Sequence, residues 1–108
     1  MRKKPPTAEQ AITRSIRGLL NSLGIFHWKN HGGLGSAPGL PDICAVYHGR
    51  MVGLEVKAPN GRVSEHQQRF LDNINAAGGI GVVVRSVEDV IVALGVEDRF
   101  FQFKGGKP

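Results

Sequence analysis

The stretch Pro41-Asp42-Ile43-Cys44-Ala45-Val46-Tyr47-His48-Gly49-Arg50-Met51-Val52-Gly53-Leu54-Glu55-Val56-Lys57 reads as two strands joined by a tight turn. β-Branched and aromatic residues mark 43–47, His48-Gly49-Arg50 supplies the turn, and 51–57 is the return strand. Side chains alternate along a strand, so Glu55 and Lys57 share one face while Leu54 and Val56 share the other. Asp42 opens the first strand, where the hairpin partner brings it beside Glu55. Two carboxylates and one ammonium thus meet at one end of an otherwise apolar hairpin.

Crowded carboxylates at the mouth of a buried hairpin repel each other and lose hydration, so the arrangement needs a reason. A hard divalent cation such as Mg²⁺ is one, because it takes carboxylate and carbonyl oxygens and completes its shell with water and substrate phosphate. The Val56 carbonyl, between Glu55 and Lys57, offers a third protein ligand. Lys57 then lies near a scissile phosphate, as an electrostatic stabiliser or as a proton acceptor. The plainer alternative is a Glu-x-Lys on a solvated strand face with an Asp in a turn. On these residues alone, both stand.

The 108 residues suffice for one domain with one core. No apolar run approaches membrane-spanning length, and no apolar segment follows the basic start Met1-Arg2-Lys3-Lys4. A single cysteine excludes an internal disulfide and a thiolate zinc cage, and Cys44 reads as a small core residue. An intracellular, cytoplasmic protein is expected. The net charge of +5 points to a polyanion, yet nine basic and nine acidic residues balance between Glu9 and Arg99. The excess lies in the ends, where Arg2, Lys3 and Lys4 suit non-specific phosphate contact or merely aid solubility.

Outward from the hairpin, Thr7 and Gln10 form a capping-box pattern ahead of Ile12, Ile16, Leu19, Leu20 and Leu23, and Gly24 ends that helix. Glu9 is in phase with the apolar stripe: it either complements the helix dipole or reaches a metal site on the sheet. Ile25 to Trp28 reads as a short strand, and a glycine-rich loop, 30–40, follows. That loop lacks the G-x-G-x-x-G and G-K-[S/T] signatures, so no nucleotide cofactor is expected; its glycines suit close approach to a nucleic acid. His27 and His31 have no third ligand for zinc. Trp28 and His31 could stack on bases or touch phosphate, with core packing the alternative for Trp28. His31 and Arg62 join the N-terminal cations as DNA-contact candidates.

Beyond the hairpin, Ser64 and Gln67 form a second capping box before Phe70, Leu71 and Ile74, and Ala77-Gly78-Gly79 closes the helix. Gly81 to Arg85 is a nearly continuous apolar run, as in a strand buried on both faces. Ser86 caps a last helix over 87–94. The order αβββαβα predicts an α/β fold: a central mixed sheet flanked by helices, with one crossover helix.

Pro41-Asp42 followed by Glu55-Val56-Lys57 resembles the PD-(D/E)xK nuclease signature, and the element order is similar to that superfamily's core. Gly39-Leu40-Pro41-Asp42, Glu55-Val56-Lys57-Ala58-Pro59-Asn60-Gly61, Ser64-Glu65-His66-Gln67 and Val84-Arg85-Ser86, in that order, resemble the VRR-NUC group, the virus-type replication-repair nucleases. The resemblance spans 7–94 and implies a Mg²⁺- or Mn²⁺-dependent deoxyribonuclease; short phage forms are similar to Holliday-junction resolvases. It implies that Asp42 and Glu55 hold metal, that Lys57 is the catalytic lysine, that Glu9 is an added acid, and that Gln67 helps arrange the site. Its capping role alone would also justify Gln67. Glu65 departs from the pattern, standing where a proline is common. A non-catalytic DNA-binding module and a sequence-specific restriction-type enzyme are the other readings, though the short chain leaves little for base-reading elements. Junction cleavage needs two symmetric nicks, so a homodimer is expected. Residues 1–6 then form a basic arm. The tail, 95–108, carries three of the five phenylalanines in Arg99-Phe100-Phe101-Gln102-Phe103, a candidate dimer contact or a cover for its own sheet.

Overall fold

The computed structural model describes residues 4–32 and 36–98. Helix α1 (Ala8–Ser22) starts at the expected box: Thr7 Oγ1 accepts from the Gln10 N–H at 3.1 Å, and Gln10 Oε1 accepts from the Thr7 N–H at 2.9 Å. Its end is a reciprocal pair of bonds around Gly24, whose φ is 69°: Gly24 N–H donates to Asn21 O and Ile25 N–H to Leu20 O. Ile25 is therefore occupied by the helix stop. This is why strand β1 (His27–Lys29) begins two residues later than its sequence suggests.

Strands β2 (Ile43–Tyr47) and β3 (Arg50–Val56) form the hairpin, joined by His48-Gly49 alone. Both turn residues have positive φ, 50° and 76°, the backbone of a two-residue turn whose twist matches its strands. Arg50 is thus the first strand residue and not part of the turn; its guanidinium donates to the carbonyls of Gly78 and Gly79. Helix α2 (Glu65–Ala76) crosses over to β4 (Ile80–Val84), and α3 (Val87–Leu94) follows. The sheet order is β1-β2-β3-β4, with the β1–β2 and β2–β3 pairs antiparallel and β3–β4 parallel. The αβββαβα order and the mixed sheet are those read from the sequence.

Alternation assigns the layers. Ile43, Ala45, Val52, Leu54, Val56 and Val84 face α1 and α3, where they meet Ile16, Leu20, Val90 and Leu94 in one core. Burying such side chains stabilises the fold by about 1.5–3 kcal/mol each. The opposite face takes α2: a Cβ on Gly53 would run into Ile74, and one on Gly81 into the backbone of Leu71. Strand β4 differs from its expected place. It has helices on both faces but lies at the sheet edge, so Ile80, Val82 and Val83 stay partly exposed. Helix α2 covers β3 and β4 and leaves the β1–β2 part of its face bare. There Phe26, Trp28 and Val46 are exposed, with Met51 at the start of β3 beside them, and the Phe26 and Trp28 rings lie 5.5 Å apart. Core packing of Trp28 is not what the fold uses.

Candidate active site

The register of the hairpin places Ile43 opposite Leu54, and one further step sets Asp42 opposite Glu55. Four hydrogen bonds hold Asp42 and its neighbours there. Asn30 N–H donates to its carbonyl at 2.8 Å, and the Asn30 amide donates to Pro41 O at 2.8 Å and to Cys44 Sγ at 3.1 Å. Val56 N–H donates to Asp42 Oδ2 at 2.8 Å. In an extended strand one residue's N–H and C=O leave on the same edge, so the Val56 carbonyl turns towards Asp42 as well. Gly39 lets the approach to Pro41-Asp42 pass under α2: its φ is 77°, and a Cβ there would overlap the backbone of His66 and Gln67.

Glu55 is 2% exposed. Its Oε2 accepts from Gln67 Nε2 at 3.1 Å and lies 3.5 Å from Lys57 Nζ. Its Oε1 is buried without a hydrogen-bond partner. Burial, and then the neighbouring Asp42 carboxylate, push the Glu55 carboxyl up to about 7, against the opposing pull of Lys57. Gln67 serves two purposes at once. Its Oε1 accepts from Ser64 N–H at 2.9 Å to close the second capping box, while its Nε2 orients Glu55. The capping bond to Ser64 N–H and the contact with Glu55 are made by the same side chain.

Lys57 leaves β3 beside β4, its N–H donating to Val84 O at 3.0 Å. The turn that follows is clamped by Arg85, whose Nη1 donates to the carbonyls of Ala58 at 2.6 Å and Gly61 at 3.0 Å. Asn30 and Arg85 are the positioning residues that sequence reasoning missed. Arg85 stood in a quoted motif without a role, and nothing local marks Asn30.

The remaining candidates are more dispersed. Glu9, on α1, shares with Asp42 the wall of a cavity of about 680 Å³. Among the described residues, however, no three His, Cys, Asp or Glu side chains gather into one cluster. Asp42 and Glu55 come together; Glu9 borders them. Lys4, His31 and Arg62 are exposed and outside this convergence, and His27 is tied through Nδ1 to Ile25 O at 2.9 Å. Arg2, Lys3 and the phenylalanines of the tail lie outside the described residues. No helix among the described residues is long and apolar enough to cross a membrane.

Compared with known proteins, residues 6–88 match the VRR-NUC domain family model. The chain belongs to the VRR-NUC family. A solved VRR-NUC domain structure superposes with a TM-score of 0.68 at 22% identity, covering 85% of this chain and 99% of that one, which shows the shared fold. No curated protein matches the chain. A VRR-NUC domain is a nuclease of the PD-(D/E)xK type, a class that generally uses divalent metals. The donor set fits such an ion: a buried carboxylate oxygen with no partner, a second carboxylate beside it, and a carbonyl on the same edge.

Proposed function

We propose that this VRR-NUC domain is a Mg²⁺- or Mn²⁺-dependent DNA endonuclease that cuts branched DNA, a four-way junction above all, and acts as a homodimer in the cytoplasm. The observation that carries the reading is the convergence of Asp42, Glu55 and Lys57, with Glu55 Oε1 buried and unpartnered.

A cation held by Asp42, Glu55 and the Val56 carbonyl would polarise the scissile phosphate and acidify a water. The chain's own groups do the rest. Gln67 and Lys57 engage Oε2 of Glu55, which leaves the buried Oε1 as the unpartnered ligand atom. Val56 N–H holds Oδ2 of Asp42. The Lys57 ammonium meets the negative charge that grows on the non-bridging oxygens as water adds to phosphorus. One P–O bond breaks, and the superfamily resemblance implies a 5′-phosphate product. Every described helix and strand belongs to the core, so recognition by DNA shape fits better than base reading in a groove. The bare apolar strip of Phe26, Trp28, Val46 and Met51 supports self-association.

The test is a set of end-labelled DNAs (four-way junction, flap, linear duplex, single strand) incubated with Mg²⁺, Mn²⁺ or chelator. Metal-dependent paired cuts across the junction are expected. Equal cutting of linear duplex would remove the structural preference, and cutting in chelator would remove the metal.

A further inference from the structure

The cavity that Glu9 and Asp42 border continues along α1 as an open trough against β1, away from the acids. Its wall includes Thr13, Arg14, Arg17 and Gly18 from α1 and, from β1, Lys29, which pairs with Ile43 beside Asp42; the nuclease chemistry uses none of the five. Among the described residues the one ion pair is Lys57 with Glu55, so these three cations have no carboxylate partner. Arg17 is part-buried, and its Nε, buried, finds no acceptor among the described residues. A guanidinium N–H in that position costs about 1–3 kcal/mol unless something accepts from it. Thr13, also buried, adds a hydroxyl to the wall.

Gly18 is the second unusual feature. A glycine inside a helix costs about 1 kcal/mol relative to alanine. Nothing lies within 4 Å of where its Cβ would stand, so internal packing does not demand it. What its missing side chain leaves open is the trough itself.

We propose that this trough is the track of the DNA backbone beside the cut, with Arg17 and Lys29 holding phosphates that flank the scissile one and Gly18 leaving room for the strand. The chemistry is that of a polyanion, and the geometry gives it a scale. From Glu9 to Arg17 is eight residues of helix, about 12 Å. Phosphates of one strand rise about 3.4 Å each along a duplex axis but follow a helical path that sets them about 7 Å apart, so Arg17 meets the backbone about two phosphates from the metal acids. Arginine suits the bidentate hold on phosphate, and lysine the point charge. The assignment rests on the nuclease reading, and it adds the open trough beside α1 to the N-terminal cations and loops as a DNA contact.

Binding is measured in the Lys57→Ala background with Mg²⁺, by fluorescence anisotropy on a labelled four-way junction and on linear duplex across a salt series. Arg17→Gln and Lys29→Gln should each lower the slope of log affinity against log salt by about 1 and weaken binding about 10-fold. Arg69→Gln, on α2 across the sheet, should leave both unchanged. Gly18→Phe adds no charge and should also weaken binding about 10-fold, at unchanged slope. Its melting temperature should not fall, because phenylalanine is the better helix former. Unchanged slopes in the two trough variants, or an equal loss for Arg69→Gln, would overturn the track, as would full affinity in Gly18→Phe. Wild-type protein that cuts no DNA, with trough variants that still lose affinity, would instead sink the nuclease reading and leave the track standing.

Discussion

The molecule contains the same device twice. At α1, Thr7 and Gln10 exchange bonds of 2.9 and 3.1 Å; at α2, Ser64 and Gln67 exchange bonds of the same two lengths. Locally the two boxes are interchangeable. They differ in what the second donor of the glutamine amide finds. The Gln10 nitrogen meets no acceptor among the described residues, whereas the Gln67 nitrogen meets Oε2 of a buried glutamate. A capping pattern therefore states where a helix begins, and only the sheet beneath it decides whether the cap also serves chemistry.

The largest expected difference lies in what the second box serves. Lys57→Ala should lower the single-turnover cleavage rate by about 10²-fold or more, since it removes positive charge needed chiefly in the transition state. Mg²⁺ affinity by calorimetry and junction affinity should stay near wild type. A variant that cuts at close to the normal rate would detach Lys57, and with it the Glu55–Gln67 unit, from catalysis.

Glu55 also sets a pH dependence. In the unfolded chain this glutamate loses its proton near 4.5, whereas folded and without metal it keeps it up to about 7. Between those values the folded state binds more protons, so stability falls as pH rises through the window and levels off above it. The loss is on the order of 3 kcal/mol. Thermal melts in chelator between about pH 5 and about pH 8 should show it, Glu55→Gln should flatten it, and saturating Mg²⁺ should abolish most of it. The same linkage makes Mg²⁺ bind more weakly below about pH 7, where the ion must displace a proton. A metal-free protein with a flat profile would mean that Glu55 is not the strained acid.

The two boxes also show how far the sequence could be read. Thr7-x-x-Gln10 and Ser64-x-x-Gln67 are local patterns, and the helix starts they announce are where the structure has them. The Asp42–Glu55 pairing was legible for a similar reason, because a hairpin fixes its own register and alternation fixes the face. Long-range choices were not legible. Asn30 reaches Pro41 and Cys44 across two strands, and Arg85 reaches back over the crossover to Ala58 and Gly61. No spacing rule encodes such contacts. Ile25 was misassigned to β1 because an apolar residue after a helix-ending glycine satisfies both a strand and the helix stop, and the bond to Leu20 O settles which. The apolar run of β4 reports that helices cover both faces; it is silent on whether a strand lies on its far edge.

Parallel substitutions at the two glutamines sharpen the comparison further. Gln10→Ala and Gln67→Ala each remove half of a capping box and should each cost about 1 kcal/mol of stability. Only Gln67→Ala also removes a hydrogen bond to Glu55, one of about 1.5–3 kcal/mol once the carboxylate is charged, as it is with metal bound. It should weaken Mg²⁺ affinity about 10-fold, while Gln10→Ala leaves that affinity alone. Equal metal affinities in the two variants would reduce Gln67 to a cap.

The smallest effect is the most discriminating. Gln67 could influence the metal acids directly through Nε2, or indirectly by setting where the first turn of α2 lies over the sheet. Ser64→Ala separates these routes. It deletes the hydroxyl that accepts from Gln67 N–H, yet it keeps the Ser64 backbone N–H that Gln67 Oε1 accepts from, and it leaves Nε2 in reach of Glu55. Thr7→Ala does the same to the first box. Both should cost about 1 kcal/mol in chelator melts, and both should bind Mg²⁺ as tightly as wild type. If Ser64→Ala instead loses metal affinity as Gln67→Ala does, placement of the helix and not the amide nitrogen organises Glu55. The close fit of α2 against Gly39 would then be the feature that holds the site.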